Sequence, residues 1–275
     1  MGPMKKLLLA STILTLAGPA VAADLPHRMP VKAPPVVAPV PYFTWTGCYL
    51  GGHAGAGWGR KDFSEPDTEE NFAPPGGVIR VDTGAGFLGG GQVGCDYQFA
   101  PNWVLGIEGD FAWADLKGDA TDPFFSGKQG APITLHAKTN WIADVAGRLG
   151  YTWDRWMLYG KGGVAWAHDK YEIHNVVFSD GLQSCFLGCN TIVAGSETRT
   201  GWIAGVGVEW AFWNNWSAKL EFDHYDFGRR GVTLFDPVHN FTVPADVKQR
   251  IEAVKFGINY RFGWGKTPAP VVARY

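Results

Sequence analysis

From Val254 to Phe262 the side chains alternate without a break. Val254, Phe256, Ile258, Tyr260 and Phe262 hold one parity, and Lys255, Gly257, Asn259 and Arg261 hold the other. Neighbouring side chains of a strand point to opposite faces, so this segment is greasy on one side and polar on the other. Its length matches the roughly 9–11 residues that a tilted strand needs to cross a bilayer. The pattern recurs upstream and predicts eight strands, at about Trp45–Gly59, Thr83–Phe99, Trp103–Ala114, Lys138–Trp153, Trp156–His168, Thr200–Phe212, Trp216–Phe227 and Gln249–Phe262. In the third, Trp103, Leu105, Ile107, Phe111 and Trp113 oppose Glu108 and Asp110. In the fourth, Trp141, Val145, Leu149 and Tyr151 oppose Asp144 and Arg148.

The connections alternate in length. Residues 100–102, 154–155 and 213–215 read as tight turns, whereas 60–82, 115–137, 169–199 and 228–248 read as long polar loops. Short turns at one end and long loops at the other, on an even number of strands, predict an all-β, eight-stranded antiparallel up-and-down transmembrane β-barrel with both ends on one side. Alternation alone does not say which face is inside, and a soluble lipocalin-like barrel would put the apolar set inward. The apolar set here is rich in Trp, Tyr and Phe at strand ends, as interfacial girdles are. The other set mixes acids and bases: Asp96, Glu108, Asp110, Asp144, Glu209, Glu221 and Asp223 with Arg148, Lys161, Lys219, Lys255 and Arg261. Opposite charges at mid-strand suit a narrow lumen in which they pair, because buried charges need partners. Glycines of the same parity, such as Gly94 and Gly106, leave room for the long chains. Twelve such charges predict a lumen plugged by salt bridges.

Composition narrows the functional classes. The formal net charge of −2 gives no nucleic-acid footprint. Lys5-Lys6, the apolar run Leu7–Ala17 and the small residues Ala20–Ala23 form a secretory signal, with cleavage after Ala22 or Ala23. Residues 24–41 are Pro-rich, lack periodicity and read as an extended periplasmic leader. The barrel then occupies 42–262 and a short periplasmic tail 263–275, where Pro268 and Pro270 forbid a ninth strand. No apolar run outside the N-terminus is long enough for a transmembrane helix, so a membrane role falls to strands.

Several segments resemble the alphaproteobacterial outer-membrane β-barrel family, the porin-like surface antigens. They are Trp45-Thr46-Gly47-Cys48-Tyr49-Leu50-Gly51-Gly52, Gly89–Gly94, Gly147-Arg148-Leu149-Gly150-Tyr151, Gly205–Ala211, Leu220-Glu221-Phe222 and Asn259-Tyr260-Arg261-Phe262. The resemblance implies a barrel of the type of the OmpA transmembrane domain in the Gram-negative outer membrane. It also implies a structural or surface role without catalysis or cofactor. Its partners would be outer-membrane lipid, lipopolysaccharide and the barrel-insertion machinery, with peptidoglycan and host surface molecules open. Weak porin-like diffusion and surface binding of haemin or a host ligand are the alternative functions. Family barrels end on a terminal aromatic that serves as insertion signal. Here Tyr260 and Phe262 match it, although the chain runs on to Tyr275.

The remaining chemistry is sparse. Cys48 and Cys95 fall on the apolar parity of neighbouring strands near the same end, which predicts a cross-strand disulfide. Cys185 and Cys189 predict a local loop-closing disulfide, since no second Cys/His pair accompanies them for a metal. Gly84–Gly89 fits G-x-G-x-x-G, but a dinucleotide site needs that loop to open a helix, and here a strand pattern runs through it. A lipid hydrolase needs a nucleophile and base in reach of each other. The candidates are His168, His224 and Ser217 or Ser179; Ser217 and His224 lie on opposite parities, and His168 has no obvious serine partner. In the first loop Asp67, Glu69 and Glu70 are candidates for divalent cations that bridge lipopolysaccharide.

Overall fold

The computed structural model describes residues 43–64, 77–123, 133–175, 192–237 and 240–263. The signal and leader, the Cys185–Cys189 pair, Asp67, Glu69, Glu70 and the tail beyond Gly263 lie outside the described residues. Eight strands run in chain order: β1 (Gly47–Ser64), β2 (Val78–Ala100), β3 (Trp103–Thr121), β4 (Thr134–Trp153), β5 (Trp156–His174), β6 (Ile192–Trp210), β7 (Trp216–Asp236) and β8 (Phe241–Gly263). Each pairs antiparallel with its sequence neighbours, and β1 closes on β8, so the sheet forms a closed barrel; the β2–β3 ladder runs only as far up as Leu88↔Ala114, and the β6–β7 ladder is interrupted between Trp202↔Asp226 and Ala194↔Phe235.

Every strand is longer than its sequence pattern predicts at the end away from the tight turns. The described residues of the regions taken as long polar loops are largely strand. The 228–248 segment is a hairpin in which β7 and β8 stay paired as far as Asp236↔Phe241. The cause is a change in what alternates. On β8 the outward positions read Tyr260, Ile258, Phe256 and Val254 and then turn to Glu252, Arg250, Lys248 and Asp246. The inward positions change the opposite way, from Arg261, Asn259 and Lys255 to Ala253, Ile251, Val247, Ala245 and Val243. Pro244 is tolerated because it lies beyond the last described β1 pair, Ser64↔Asp246, where among the described residues β8 pairs with β7 alone.

In the lower part, next to the tight turns, the exterior is apolar. Trp103, Leu105, Ile107, Phe111 and Trp113 of β3 all face outward and are exposed, and this span has the length of one membrane crossing. Trp58, Trp113, Trp141 and Trp202 mark its upper rim, and Trp103, Trp153, Trp156, Trp210 and Trp216 its lower rim. Near the upper rim three strands carry bulges that switch which residues face inward. Between Thr83 and Gly86, β2 has two residues where β1 has one. Asn140 is extra on β4 between Thr139↔Asp169 and Trp141↔His168. Phe227 is extra on β7, followed by Gly228 at φ 64°, a left-handed conformation that favours glycine. One extra residue restores the inside–outside phase that strict alternation would lose. Cys48 and Cys95 sit opposite each other in register on the lipid face and form a disulfide, Cα atoms 3.9 Å apart.

Candidate functional site

The densest chemistry lies in the lumen of the lower half. All twelve charges named from the sequence point inward and are buried. Their parities follow from the alternation described above, and small inward residues admit them. A Cβ on Gly106 would meet Asp96 and Arg148, and one on Gly205 would meet Asp223 and Lys161. Arg148 is the hub. Its guanidinium reaches Glu209 at 2.6 Å, Asp96 at 3.1 Å and Glu108 at 3.2 Å, and lies over the rings of Tyr49 and Tyr159. Arg261 pairs with Asp96 and with Glu209 at 2.9 Å, and donates to the Trp45 carbonyl. Glu209 also accepts from Ser217 at 2.5 Å and Asn259 at 3.1 Å.

Above this hub, Lys219 bridges Glu108 and Glu221, both at 2.9 Å. Lys161 pairs with Glu221 and with Asp223 at 3.3 Å. Lys255 joins Asp223 at 2.8 Å and Asp110 at 3.2 Å. Tyr49 and Tyr159 donate to Glu108 and Glu221, each at 2.7 Å. His53 completes the layer through Gln92 at 2.7 Å and Asp110 at 3.3 Å. Asp144 stands apart from the ion pairs and accepts from the Tyr225 hydroxyl at 3.1 Å. The lumen cations thus each touch more than one acid, which is the condition under which buried charge is tolerated.

Sequence reasoning found this layer but missed four others. At the floor, Trp45 is buried and packs with Val104, Met157, Tyr159 and Ala211 across the lower mouth. Directly above the ions lies an apolar layer that includes Leu88, Leu116, Ile142, Ile203, Phe227 and Ile251. A second polar knot follows, above the Trp58 rim. Lys61 reaches Asp169 at 2.6 Å, Thr139 donates to Asp169 at 2.5 Å, and Gln249 donates to it at 3.1 Å. Arg199 donates to the Val247 carbonyl at 2.8 Å. Burial, only partly offset by Asp169, pulls the Lys61 ammonium below its usual range. The top is an apolar core of Phe63, Ile79, Leu135, Ile173, Leu234, Val243 and their neighbours. The signal for it was present. Tyr171 and Ile173 alternate with Lys170, Glu172 and His174, but with the charged parity outward.

Among the described residues the hydrolase candidates do not meet, and Ser179 lies outside them. Ser217 is spent on Glu209 inside, His224 bonds Glu252 outside at 2.6 Å, and His168 stacks on Trp141 and contacts Thr198 at 3.2 Å. Tyr260 and Phe262 pack edge-on at 5.1 Å on the lipid face of β8, beside Trp216.

Known proteins fit this architecture. Among relatives, the 31 kDa outer-membrane immunogenic protein of Brucella melitensis biotype 1 is 34% identical over 262 residues, which covers 94% of this chain and 100% of that protein. The 22 kDa outer membrane protein of Rhizobium leguminosarum bv. viciae is 27% identical, over 72% of each. Among solved structures, the outer membrane protease OmpT of Escherichia coli superposes with a TM-score of 0.48 at 10% identity, covering 82% of this chain and 100% of that one. The family model described as outer membrane protein beta-barrel domain matches residues 37–265. With nearly the whole barrel inside that match, and a relative sharing a third of its residues from end to end, the chain belongs to the outer membrane protein beta-barrel family.

Proposed function

We propose that the protein is a sealed structural barrel that supports the envelope, its lumen serving as scaffold rather than passage. One observation carries this reading. From floor to top the lumen is filled in succession by Trp45 and its neighbours, the ion network, an apolar layer, the Lys61–Asp169 knot and a second apolar core. An ion moving along the axis would have to cross two dry layers, where charge is strongly disfavoured. The relatives' description as immunogenic outer-membrane proteins agrees with a surface-exposed place in the envelope. In this reading the tight turns and both chain ends face the periplasm. Residues 1–23 are the export signal, and Tyr260 and Phe262 are what the insertion machinery reads.

Planar-bilayer recording tests the proposal. The refolded protein is expected to give no stable single-channel steps. Lys219→Gln is expected to stay closed as well, because Leu88, Ile142 and Ile251 still block the axis. Large, steady steps from the unmodified protein would establish the weak-porin alternative instead. In cells, loss of the protein is expected to raise sensitivity to detergent and chelator, and Lys219→Gln is expected to restore resistance.

A further inference from the structure

Just above the membrane belt, the outer wall carries an arrangement that the lumen does not explain. Lys117 of β3 sits directly opposite Lys138 of β4, and Lys138 directly opposite Lys170 of β5. Like charges opposite one another destabilise a sheet. Like charges also face each other at Arg60↔Arg250 and Arg229↔Lys248, but Arg60, Arg80 and Arg250 each have a carboxylate of their own: Arg60 meets Asp82 and Arg80 meets Asp62, both at 2.9 Å, and Arg250 meets Asp226 at 3.1 Å. In the lysine row one carboxylate, Asp115, serves both Lys117 at 2.9 Å and Lys138 at 3.2 Å. Lys170 is exposed and has no ion-pair partner among the described residues. The nearby acids are engaged by histidines, Asp119 by His136 and Glu172 by His174. The row lines a shallow hollow of about 340 Å³ together with His136 and His174.

The height of the row identifies its occupant. The outward pair Trp113↔Trp141 lies just below it, at the rim of the apolar belt. Below that, Gly109, Gly147 and Gly162 leave the lipid face of β3–β5 flat between the exposed Ile107, Val145 and Val164. A molecule with acyl chains and a phosphate at the membrane surface matches both parts. We infer that Lys117, Lys138 and Lys170, with His136 and His174, form a docking site for the phosphorylated head group of lipopolysaccharide in the outer leaflet. Asp119 and Glu172 line the same hollow and Asp115 serves two of the lysines, so Lys170 is the cation left for the phosphate, and a tryptophan pair supports the glycan–acyl boundary beneath it. The inference rests on the barrel's place in the outer membrane and on the proposed orientation with the tight turns in the periplasm, and not on a sealed lumen, so a conductance result leaves it standing.

The test uses the full-length refolded protein in detergent micelles, titrated with bisphosphorylated lipid A and with the same lipid after phosphate removal. The unmodified protein is expected to bind the phosphorylated form at least about tenfold more tightly. The triple variant Lys117→Gln, Lys138→Gln, Lys170→Gln is expected to lose on the order of 100-fold, from the typical contribution of a lysine at an anionic surface. Removing the same number of cations elsewhere, by Arg60→Gln, Arg80→Gln and Arg250→Gln, is expected to change affinity by less than about threefold. Equal binding of both lipids, or equal loss in the two triple variants, overturns the proposal. Displacement of lipid A by millimolar inorganic phosphate also overturns it, by reducing the row to a general anion site. Heat-modifiable gel migration checks that each variant is folded. Lys170→Gln alone, which breaks no ion pair, is expected to weaken binding several-fold, and no change in that variant counts against the site.

Discussion

The two halves of this barrel are built from the same eight strands and are opposite in polarity. Below the Trp58–Trp113–Trp141 level, apolar side chains face out and ions pair inside. Above it, Arg60, Asp82, Lys138 and Arg250 face out, and Phe63, Ile79, Leu234 and Val243 form the interior. The solvent dictates the difference. Where hydrocarbon surrounds the wall, charge is tolerable only within. Where water surrounds it, the hydrophobic effect again gathers apolar groups at the centre, as in a soluble barrel. The bulges on β2, β4 and β7 lie near this change, whereas β8 passes through it with its odd positions inward throughout. The molecule is in effect a membrane barrel continued by a water-soluble one.

That contrast can be broken by moving charge across it. The largest effect is expected from Val243→Asp, which places an unpaired carboxylate in the upper core. It should cost upward of about 4 kcal/mol in urea unfolding from detergent micelles. Near-neutral behaviour would mean that the upper interior is wet. Next, Arg148→Met leaves Asp96, Glu108 and Glu209 without their shared cation and should cost about 3–5 kcal/mol by the same measurement. The sharpest comparison uses one strand and one face. Val206→Arg puts charge into the lipid belt and should cost about 2–4 kcal/mol. Ser196→Arg, outward on the same β6 but above the belt, should stay within about 0.5 kcal/mol. Equal costs at the two positions would place the membrane boundary elsewhere.

How far the sequence could be read follows from the same inversion. Strand number, order, the lumen charges and the Cys48–Cys95 bridge were legible because, over Leu105–Trp113 or Val254–Phe262, apolar and polar residues alternate with a fixed sense. The upper strands were read as loops because their outward face is charged and their apolar residues are small or β-branched, as in Val243-Pro244-Ala245-Asp246-Val247. Asp169 and Lys61 looked like loop charges for that reason, yet they form the upper polar knot. Bulges compounded the difficulty. Asn140 shifts the phase of β4, so a strict alternation count loses Thr139 and Leu135. Trp45 could not be assigned to the floor from parity, because it precedes the strand and crosses the mouth.

The unbroken pairing of β7 and β8 up to Asp236↔Phe241 has a consequence at cellular scale. From Glu252 to Phe241 the hairpin climbs roughly 25 Å above the lipid, at about 3.3 Å per residue and the usual barrel tilt. With the tight turns towards the periplasm, as proposed above, the paired strands carry Asp236 and Phe241 well clear of the bilayer on the outer side. An antibody arriving from the medium meets a folded sheet surface before it meets the bilayer. Sera raised against the native molecule should bind far more weakly once boiling has collapsed that hairpin.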